Sequence, residues 1–270
     1  MHALPLVNRT EKRDFAFELK FRLPESLAAG VLAWAGKQLV ADPHGNGSAQ
    51  GSYRVNSLYF DTTDLDVYHR NGSYGRCKYR VRRYGREDAI FLERKLKTRG
   101  QVGKRRTRIS NEELLLLDEI PGSSAWDGFW FQRRLLARRL GPQCQIAYDR
   151  AALVGMSSEG PIRLTVDRDV RAFPTQSLSV VDEGAWLPLL SGQCILELKY
   201  RLMMPALFAS LIQELALNPQ PVSKYRLSVQ AFGWAPRPEI SSPKDARPAS
   251  SSERSATPEG SNTGVSASRA

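Results

Sequence analysis

Charged and apolar residues alternate along five separate segments of this 270-residue chain. In each segment a charged or polar residue occupies every second position, and the positions between are mostly apolar. Because successive side chains of a β-strand point to opposite faces, the pattern predicts a sheet with one apolar and one charged face. The charged face comprises Glu18/Lys20/Arg22, Lys78/Arg80/Arg82, Glu93/Lys95/Lys97, Arg163/Thr165/Asp167 and Glu197/Lys199/Arg201.

The spacing of the predicted elements favours hairpins over strand-helix-strand units. Ser110 and Glu113 have the spacing of a capping box ahead of a further helix. The fold class is therefore predicted as α+β, an antiparallel barrel of about eight strands flanked by helices, with the charged face turned inward. Strands are predicted near 15–23, 53–60, 76–85, 89–97, 104–110, 145–150, 162–170 and 194–202, and helices near 25–40, 127–140, 205–217 and from 223 onward.

Composition predicts one domain and a tail. We expect an N-terminal extension at 1–11, a folded domain at 12–234 and a disordered tail at 235–270, where Ser, Pro and small residues replace apolar periodicity. No run approaches the roughly 18 apolar residues of a transmembrane helix, and the N-terminus lacks a signal-peptide core, so a cytoplasmic protein is expected. The three Cys and three His are too scattered to form a zinc motif.

Positive charge is concentrated in one part of the chain. Residues 76–108 hold fourteen Lys or Arg against three acids, an excess equal to the net charge of +11 of the whole chain. A single charged strand face is usually solvated, but cations at alternate positions lie about 7 Å apart and repel by about 2 kcal/mol at an effective dielectric near 20. Stacked on neighbouring strands, such cations indicate an anionic partner, and carboxylates among them suit a divalent metal held beside phosphates.

Nine segments together resemble the VTC domain, a polyphosphate polymerase domain of the vacuolar transporter chaperone type, found in bacteria as a stand-alone protein. The resemblance covers about residues 12–234 and rests on the order and spacing of the segments. It implies a triphosphate tunnel metalloenzyme, or CYTH-like, fold. The segments are Glu18-Leu-Lys20, SLYFDTTDLDVY from Ser57, KYRVRRYG from Lys78, FLERKLK from Phe91, KRRTRI from Lys104, YDR from Tyr148, RLTVDRDV from Arg163, LELKY from Leu196 and SKYRLSVQAF from Ser223.

The resemblance also implies a reaction, transfer of the terminal phosphoryl group of ATP to a polyphosphate chain, which requires mainly positioning and charge neutralisation. Glu197 is implied as the ligand of a divalent metal, Mn²⁺ or Mg²⁺, with Glu18 and Glu93 as further candidates. A membrane-protein partner that would accept the product stays open, because the sequence does not identify one, and no specific nucleic acid is expected. The implied catalytic cations are Lys20, Arg80, Arg82, Lys95, Arg163, Lys199 and Lys224, and the further substrate contacts are Lys78, Lys97, Lys104 and Arg106.

Three other functions stay open on the sequence alone. The first is a triphosphatase of the same fold, but hydrolytic tunnel enzymes resemble one another in a first-strand Glu-x-Glu-x-Lys, of which Ala16 replaces the first Glu. The second is a polyphosphate-binding subunit without catalysis. The third is a general nucleic-acid binder, which is disfavoured because aromatic residues are not interleaved with the cations on their own face.

Several other charged residues have two interpretations. Asp61, at a strand end before two threonines, is predicted to cap a turn or helix and is left outside the site. Asp167 and Asp169 either assist the metal or orient neighbouring arginines. Four arginines at 133, 134, 138 and 139 make one predicted helix basic, and are expected to form a solvated face or a docking surface.

Overall fold

The computed structural model describes residues 15–43, 51–119 and 126–235. The predicted extension at 1–11 and the predicted tail beyond residue 235 lie outside these ranges. The strands are β1 (Phe17–Pro24), β2 (Val40–Ala41), β3 (Ser52–Asp61), β4 (Cys77–Tyr84), β5 (Ile90–Thr98), β6 (Gln101–Ile109), β7 (Gly141–Ser157), β8 (Gly160–Pro174), β9 (Leu187–Pro188) and β10 (Gln193–Tyr200). The α-helices are α1 (Glu25–Ala35), α2 (Asp66–His69), α3 (Phe129–Ala137), α4 (Ala206–Glu214) and α5 (Lys224–Ala231), with 3-10 helices at Gly72–Arg76 and Glu112–Leu117.

All ten strands belong to one antiparallel sheet. Eight follow the order β1-β10-β8-β7-β3-β4-β5-β6, while the two-residue strands β2 and β9 pair with β7 and β8. The sheet curls until its edge strands meet at one bridge, where Ala16 and Val102 exchange backbone hydrogen bonds of 3.1 and 2.8 Å. The predicted α+β fold with a rolled antiparallel sheet is confirmed, but this seam is a single bridge where a barrel would have a continuous ladder.

The apolar outer face of the sheet packs against the helices in two clusters. One cluster includes Phe131 of α3, whose ring packs edge-on against Phe60 and Tyr79 with centroid distances of 5.8 and 5.7 Å. The other joins α1 and α4 to β1, β8 and β10 around the fully buried residues Phe21 and Leu196. With the outer face covered in this way, the charged face of the curled sheet is the inner one.

Several predicted elements differ in length from those observed. The predicted capping box is present, with Ser110 N donating to Glu113 Oε2 at 2.7 Å and Glu113 N donating to Ser110 Oγ at 3.2 Å, but it starts a 3-10 helix. Strands β7 and β8 extend to 17 and 15 residues and form a long hairpin. Among the described residues, no helix is long and apolar enough to cross a bilayer.

The second cluster makes a testable contribution to stability. Leu196→Ala in β10 should lower the free energy of unfolding by about 2 to 5 kcal/mol, because it removes buried methyl groups and leaves a cavity. Met203→Ala, at a residue that is 68% exposed, is the control and should change it by less than about 0.5 kcal/mol. Urea unfolding of both variants checks the prediction, and equal small effects would contradict the assigned packing of β10.

Candidate functional site: the charged interior of the curled sheet

The strand register places the charged residues side by side on the inner face. Glu18 lies opposite Lys199 and Lys20 opposite Glu197 where β1 pairs with β10, and Arg80 lies opposite Glu93 where β4 pairs with β5. The sequence-predicted residues from distant segments are thus brought together. The basic side chains on or against this interior are Lys20, Lys78, Arg80, Arg82, Lys95, Lys104, Arg106, Arg150, Arg163, Lys199 and Lys224, and the carboxylates are Glu18, Asp42, Glu93, Asp167 and Glu197.

Glu93 is a buried carboxylate that gathers four cations. Its Oε2 accepts a hydrogen bond of 2.8 Å from Arg80 Nε and lies 3.8 Å from Arg82 Nη1. Its Oε1 is 3.3 Å from Lys104 Nζ and 3.1 Å from Arg106 Nε. Burial alone would raise the pKa of Glu93, but the two arginines of β4 outweigh it and hold the pKa well below its usual value. The carboxylate is therefore ionised, and it fixes the spacing of the cations around it.

Two more carboxylates each pair with one lysine across the interior. Glu197 of β10 accepts a hydrogen bond from Lys20 Nζ, and Glu18 of β1 accepts one of 2.6 Å from Lys95 Nζ. Burial opposes ionisation of Glu18, but Lys95 and Lys20 outweigh it and lower its pKa to about 2. Burial also lowers the pKa of Lys20 well below its usual value, with nearby Lys95 adding to the effect. An incoming anion would therefore restore the preference of these lysines for the charged form.

Asp167 of β8 holds an arginine and a lysine. Both carboxylate oxygens accept hydrogen bonds from Arg150, at 2.6 and 2.8 Å, and Oδ2 also lies 2.5 Å from Lys224 Nζ. Burial would raise the pKa of Asp167, but Arg150 and Lys224 lower it. Of the two roles considered for Asp167, orienting cations is the one that its contacts show. Asp169 instead lies 3.2 Å from Arg54 and is exposed.

Tyrosine and serine hydroxyls of β3 and β7 hold arginines of β4 and β8, and the sequence analysis did not identify these partners. Arg80 Nη1 donates to Tyr59 Oη at 3.0 Å, and Arg163 Nη2 donates to Tyr53 Oη at 2.8 Å. Arg82 donates to Ser57 Oγ at 3.1 Å and to Tyr148 Oη at 2.9 Å. The signal for the residues on β3 was the period of two along YRVNSLYF, which puts Tyr53, Ser57 and Tyr59 on the same face of the strand as Val55.

The remaining predicted residues are placed as follows. Arg163 is held by Asp42, at 2.6 Å, as well as by Tyr53. Lys199 is half-buried between Glu18 and Arg163 in the register. Lys97, the substrate contact predicted on β5, is exposed near the end of that strand.

Burial makes two interior lysines unusually weak bases. The pKa of Lys78 is lowered to about 8, first by burial and then by Lys95 among its neighbours. The pKa of Lys104, whose side chain is 39% exposed at the rim of the interior, is also lowered to about 8 by partial burial and by Arg106, which act against Glu93. Both lysines thus titrate within reach of physiological pH and would bind a proton more tightly beside an anion.

Glu197 is the candidate among the interior carboxylates for holding a divalent metal beside bound phosphate. The described residues contain no group of three or more His, Cys, Asp or Glu suited to a metal ion. Magnesium-type sites, however, use one or two carboxylates together with water and substrate phosphates. Opposite Glu197, Thr165 has a buried Oγ1 without a hydrogen-bond partner. A carboxylate that is 16% exposed and a free hydroxyl beside it fit a hydrated metal on a bound phosphate.

Two charged groups lie apart from the interior cations. The α3 arginines are on the outer side of the sheet, where Arg133, Arg134 and Arg139 are exposed and Arg138 stacks on Tyr74 with a distance of 4.3 Å to the ring centroid. Asp61 caps the start of α2, accepting from Val67 N at 2.8 Å and Tyr68 N at 3.0 Å, as predicted for a cap.

Comparison with known proteins identifies one family and several distant structures. The model of the VTC domain family matches residues 15–232. No curated protein matches the sequence. A Bacillus halodurans protein described provisionally as an adenylate cyclase has 12% identity and a TM-score of 0.48, covering 81% of this chain and 98% of its own. A Hippeastrum protein of the same provisional description, reported with a dominant triphosphatase activity, has 17% identity and a TM-score of 0.46, covering 81% and 96%.

The weakly basic lysines predict opposite pH trends for stability and for anion binding. Between pH 8 and 9 the unfolded chain holds these protons and the folded chain loses them, so the free energy of unfolding should rise with pH. Affinity for tripolyphosphate should fall over the same window, because the interior loses positive charge. Urea unfolding and calorimetric titration across this range check both trends, and parallel changes would contradict the assigned pKa values.

Proposed function

The chain belongs to the VTC domain family, and from that premise and its charged interior we propose that it is a metal-dependent polyphosphate polymerase. The proposed reaction transfers the terminal phosphoryl group of ATP to the end of a polyphosphate chain and releases ADP. The proposed substrates are ATP and polyphosphate, bound as linear chains of phosphates along the interior of the curled sheet.

The observation that carries the proposal is the imbalance of charge inside the sheet. The interior groups comprise eleven Lys or Arg and five carboxylates on or against one continuous surface. Most of these cations are half-buried, and in such excess they repel one another and lose part of their hydration. Both effects have a cost that a bound polyanion offsets. A linear chain of phosphates supplies one negative charge or more per unit and matches an elongated surface that is lined along several strands.

The interior residues can support phosphoryl transfer without a protein nucleophile. We assign charge neutralisation of the transferred group to seven cations that converge from β1, β4, β5, β8, β10 and α5. Lys78, Lys97, Lys104 and Arg106 extend the same charge along the path of the polymer. Because the transition state of this reaction spreads charge over the phosphoryl oxygens, prepositioned cations stabilise it directly. The seven are Lys20, Arg80, Arg82, Lys95, Arg163, Lys199 and Lys224.

Glu197 is the proposed ligand of the divalent metal, Mn²⁺ or Mg²⁺. A metal bound there would neutralise charge on the phosphate oxygens of ATP. Lys20, which Glu197 now holds, would then be free to contact the substrate. Glu18 and Glu93 are the weaker candidates because their side chains are only 10% and 1% exposed, and Glu93 already has four cationic neighbours.

Hydrolysis of triphosphates is the second candidate function. The same cations would bind a triphosphate, and only the acceptor, water in place of a phosphate chain, would differ. Position 16 bears on the choice. Ala16 is 5% exposed and lies at the seam, so this first-strand position offers a methyl group where a carboxylate would be needed to activate water. We therefore favour transfer to polyphosphate.

Incubation of the purified protein with ATP and Mn²⁺ tests the proposal. The expected product is long polyphosphate on a gel, with ADP formed in equal amount to the phosphate incorporated. Lys199→Met should lower the rate by about a hundredfold, since it removes one prepositioned cation. Lys37→Met is the matched control, because Lys37 is exposed and follows α1 on the outer side.

Each other result selects a different function. Free phosphate without polymer would select the triphosphatase. Binding of polyphosphate with no turnover of ATP would select a binding subunit without catalysis. Equal loss in Lys199→Met and Lys37→Met would show that the interior cations have no special role.

The metal ligand can be tested without turnover. Glu197→Gln should weaken Mn²⁺ binding to the complex with tripolyphosphate by at least about tenfold, as measured by electron paramagnetic resonance. Glu18→Gln and Glu93→Gln should each have a smaller effect, following their lower exposure. Glu214→Gln on α4, where the carboxylate accepts a hydrogen bond from Trp34, is the control outside the interior. A larger loss in Glu93→Gln than in Glu197→Gln would contradict the assignment.

A further inference from the structure

The start of α5 contributes to the interior at two points. Ser223 caps the helix, accepting from Arg226 N at 3.3 Å, and its Oγ also accepts from Lys78 Nζ at 2.7 Å. Lys224, the first residue of the helix, reaches Asp167 and lies 4.3 Å from the centroid of the Tyr148 ring. The position of this helix therefore sets the position of one interior cation, Lys224, and supports a second, Lys78.

A helix of eight residues does not hold its place by its own stability. Its anchors are tertiary contacts of the two residues that follow Lys224. Tyr225 is buried, and its ring stacks on Tyr59 with centroids 5.6 Å apart and planes at 14°. Arg226 donates a hydrogen bond to the carbonyl oxygen of Tyr68, and its guanidinium carbon lies over the Tyr68 ring, 4.4 Å from the ring centroid.

The Tyr225 hydroxyl donates a hydrogen bond to Asp61, a carboxylate that backbone hydrogen bonds hold in place. Asp61 is fully buried and accepts from three backbone groups, Thr62 N at 2.7 Å, Val67 N at 2.8 Å and Tyr68 N at 3.0 Å. Its Oδ2 also accepts from Tyr225 Oη at 2.6 Å. Burial raises the pKa of Tyr225, and Asp61 adds to the effect, so the hydroxyl keeps its proton and remains the donor.

We propose that Asp61 and Tyr225 are positioning residues for Lys224, holding its ammonium group where it meets a bound phosphate chain. Asp61 joins the end of β3, the first turn of α2 and the second residue of α5 at one carboxylate. Lys224 precedes Tyr225 directly, so movement of the Tyr225 ring or backbone moves the lysine as well. The inference rests on the proposed function, because it takes the ligand of the interior to be a chain of phosphates.

Tyr225→Phe tests the proposal, because it removes only the hydroxyl and keeps the ring that stacks on Tyr59. The measured quantity is the dissociation constant of tripolyphosphate by calorimetric titration. We expect about a threefold to tenfold weaker affinity, the range of one net hydrogen bond. Tyr200→Phe is the matched control, since Tyr200 is a buried tyrosine in the outer cluster, and it should leave the affinity unchanged.

A double-mutant cycle separates positioning from a general effect on the fold. In the Lys224→Met background, Tyr225→Phe should change the affinity by less than about twofold, because the residue through which it acts is gone. A loss of the same size in both backgrounds would overturn the inference, as would an unchanged affinity in Tyr225→Phe alone. If Tyr225→Phe did not fold, the same cycle with Asp61→Asn would apply, judged by the same dependence on Lys224. If the unaltered protein failed to bind tripolyphosphate, the proposed function itself would fail.

Discussion

Repulsion among the lysines and arginines of the interior is the interaction that the rest of the structure must offset. Every strand that faces the interior with cations also has carboxylates or hydroxyls within reach, and Glu93 alone contacts cations from two strands, β4 and β6. These partners are too few to cancel the positive charge. They hold the cations in fixed positions while leaving a net attraction for anions, which is the arrangement that electrostatic preorganisation requires.

The interior carboxylates fall into two groups, which differ in how easily each could lose the lysine or arginine that it contacts. Glu93 and Asp167 are almost fully buried, and each contacts at least two cations. If these cations turned to a bound ligand, the carboxylate would remain as a buried charge without compensation. Glu18 and Glu197 each hold one lysine and are more accessible. The first group belongs to the scaffold of the interior. In the proposed function, the second group releases its lysines to the phosphate chain, and Glu197 takes the metal in place of Lys20.

The sequence predicted the parts of this arrangement that follow from local periodicity. Alternation in FELKF, KYRVRR, FLERK and LELKY identifies the strands and their charged face, because the period of two is a property of the strand itself. It did not predict the tyrosines of β3 and β7 as partners of arginine, since a tyrosine within a strand looks like a core residue until its hydroxyl is located. The contact of Asp61 with Tyr225 joins residues 164 positions apart, and no local pattern encodes it. The two-residue strands β2 and β9 are likewise too short to leave a periodic signal.

The single bridge between Ala16 and Val102 has a consequence for how copies of the chain meet. Beyond that bridge, the edges of β1 and β6 have backbone groups without a continuous partner strand among the described residues, and exposed edges of this kind are templates for pairing between molecules. The β6 edge carries the basic run KRRTR from Lys104 to Arg108. Two such edges would bring like charges into register, which opposes their association. The basic composition of this strand therefore disfavours pairing between the β6 edges of two copies.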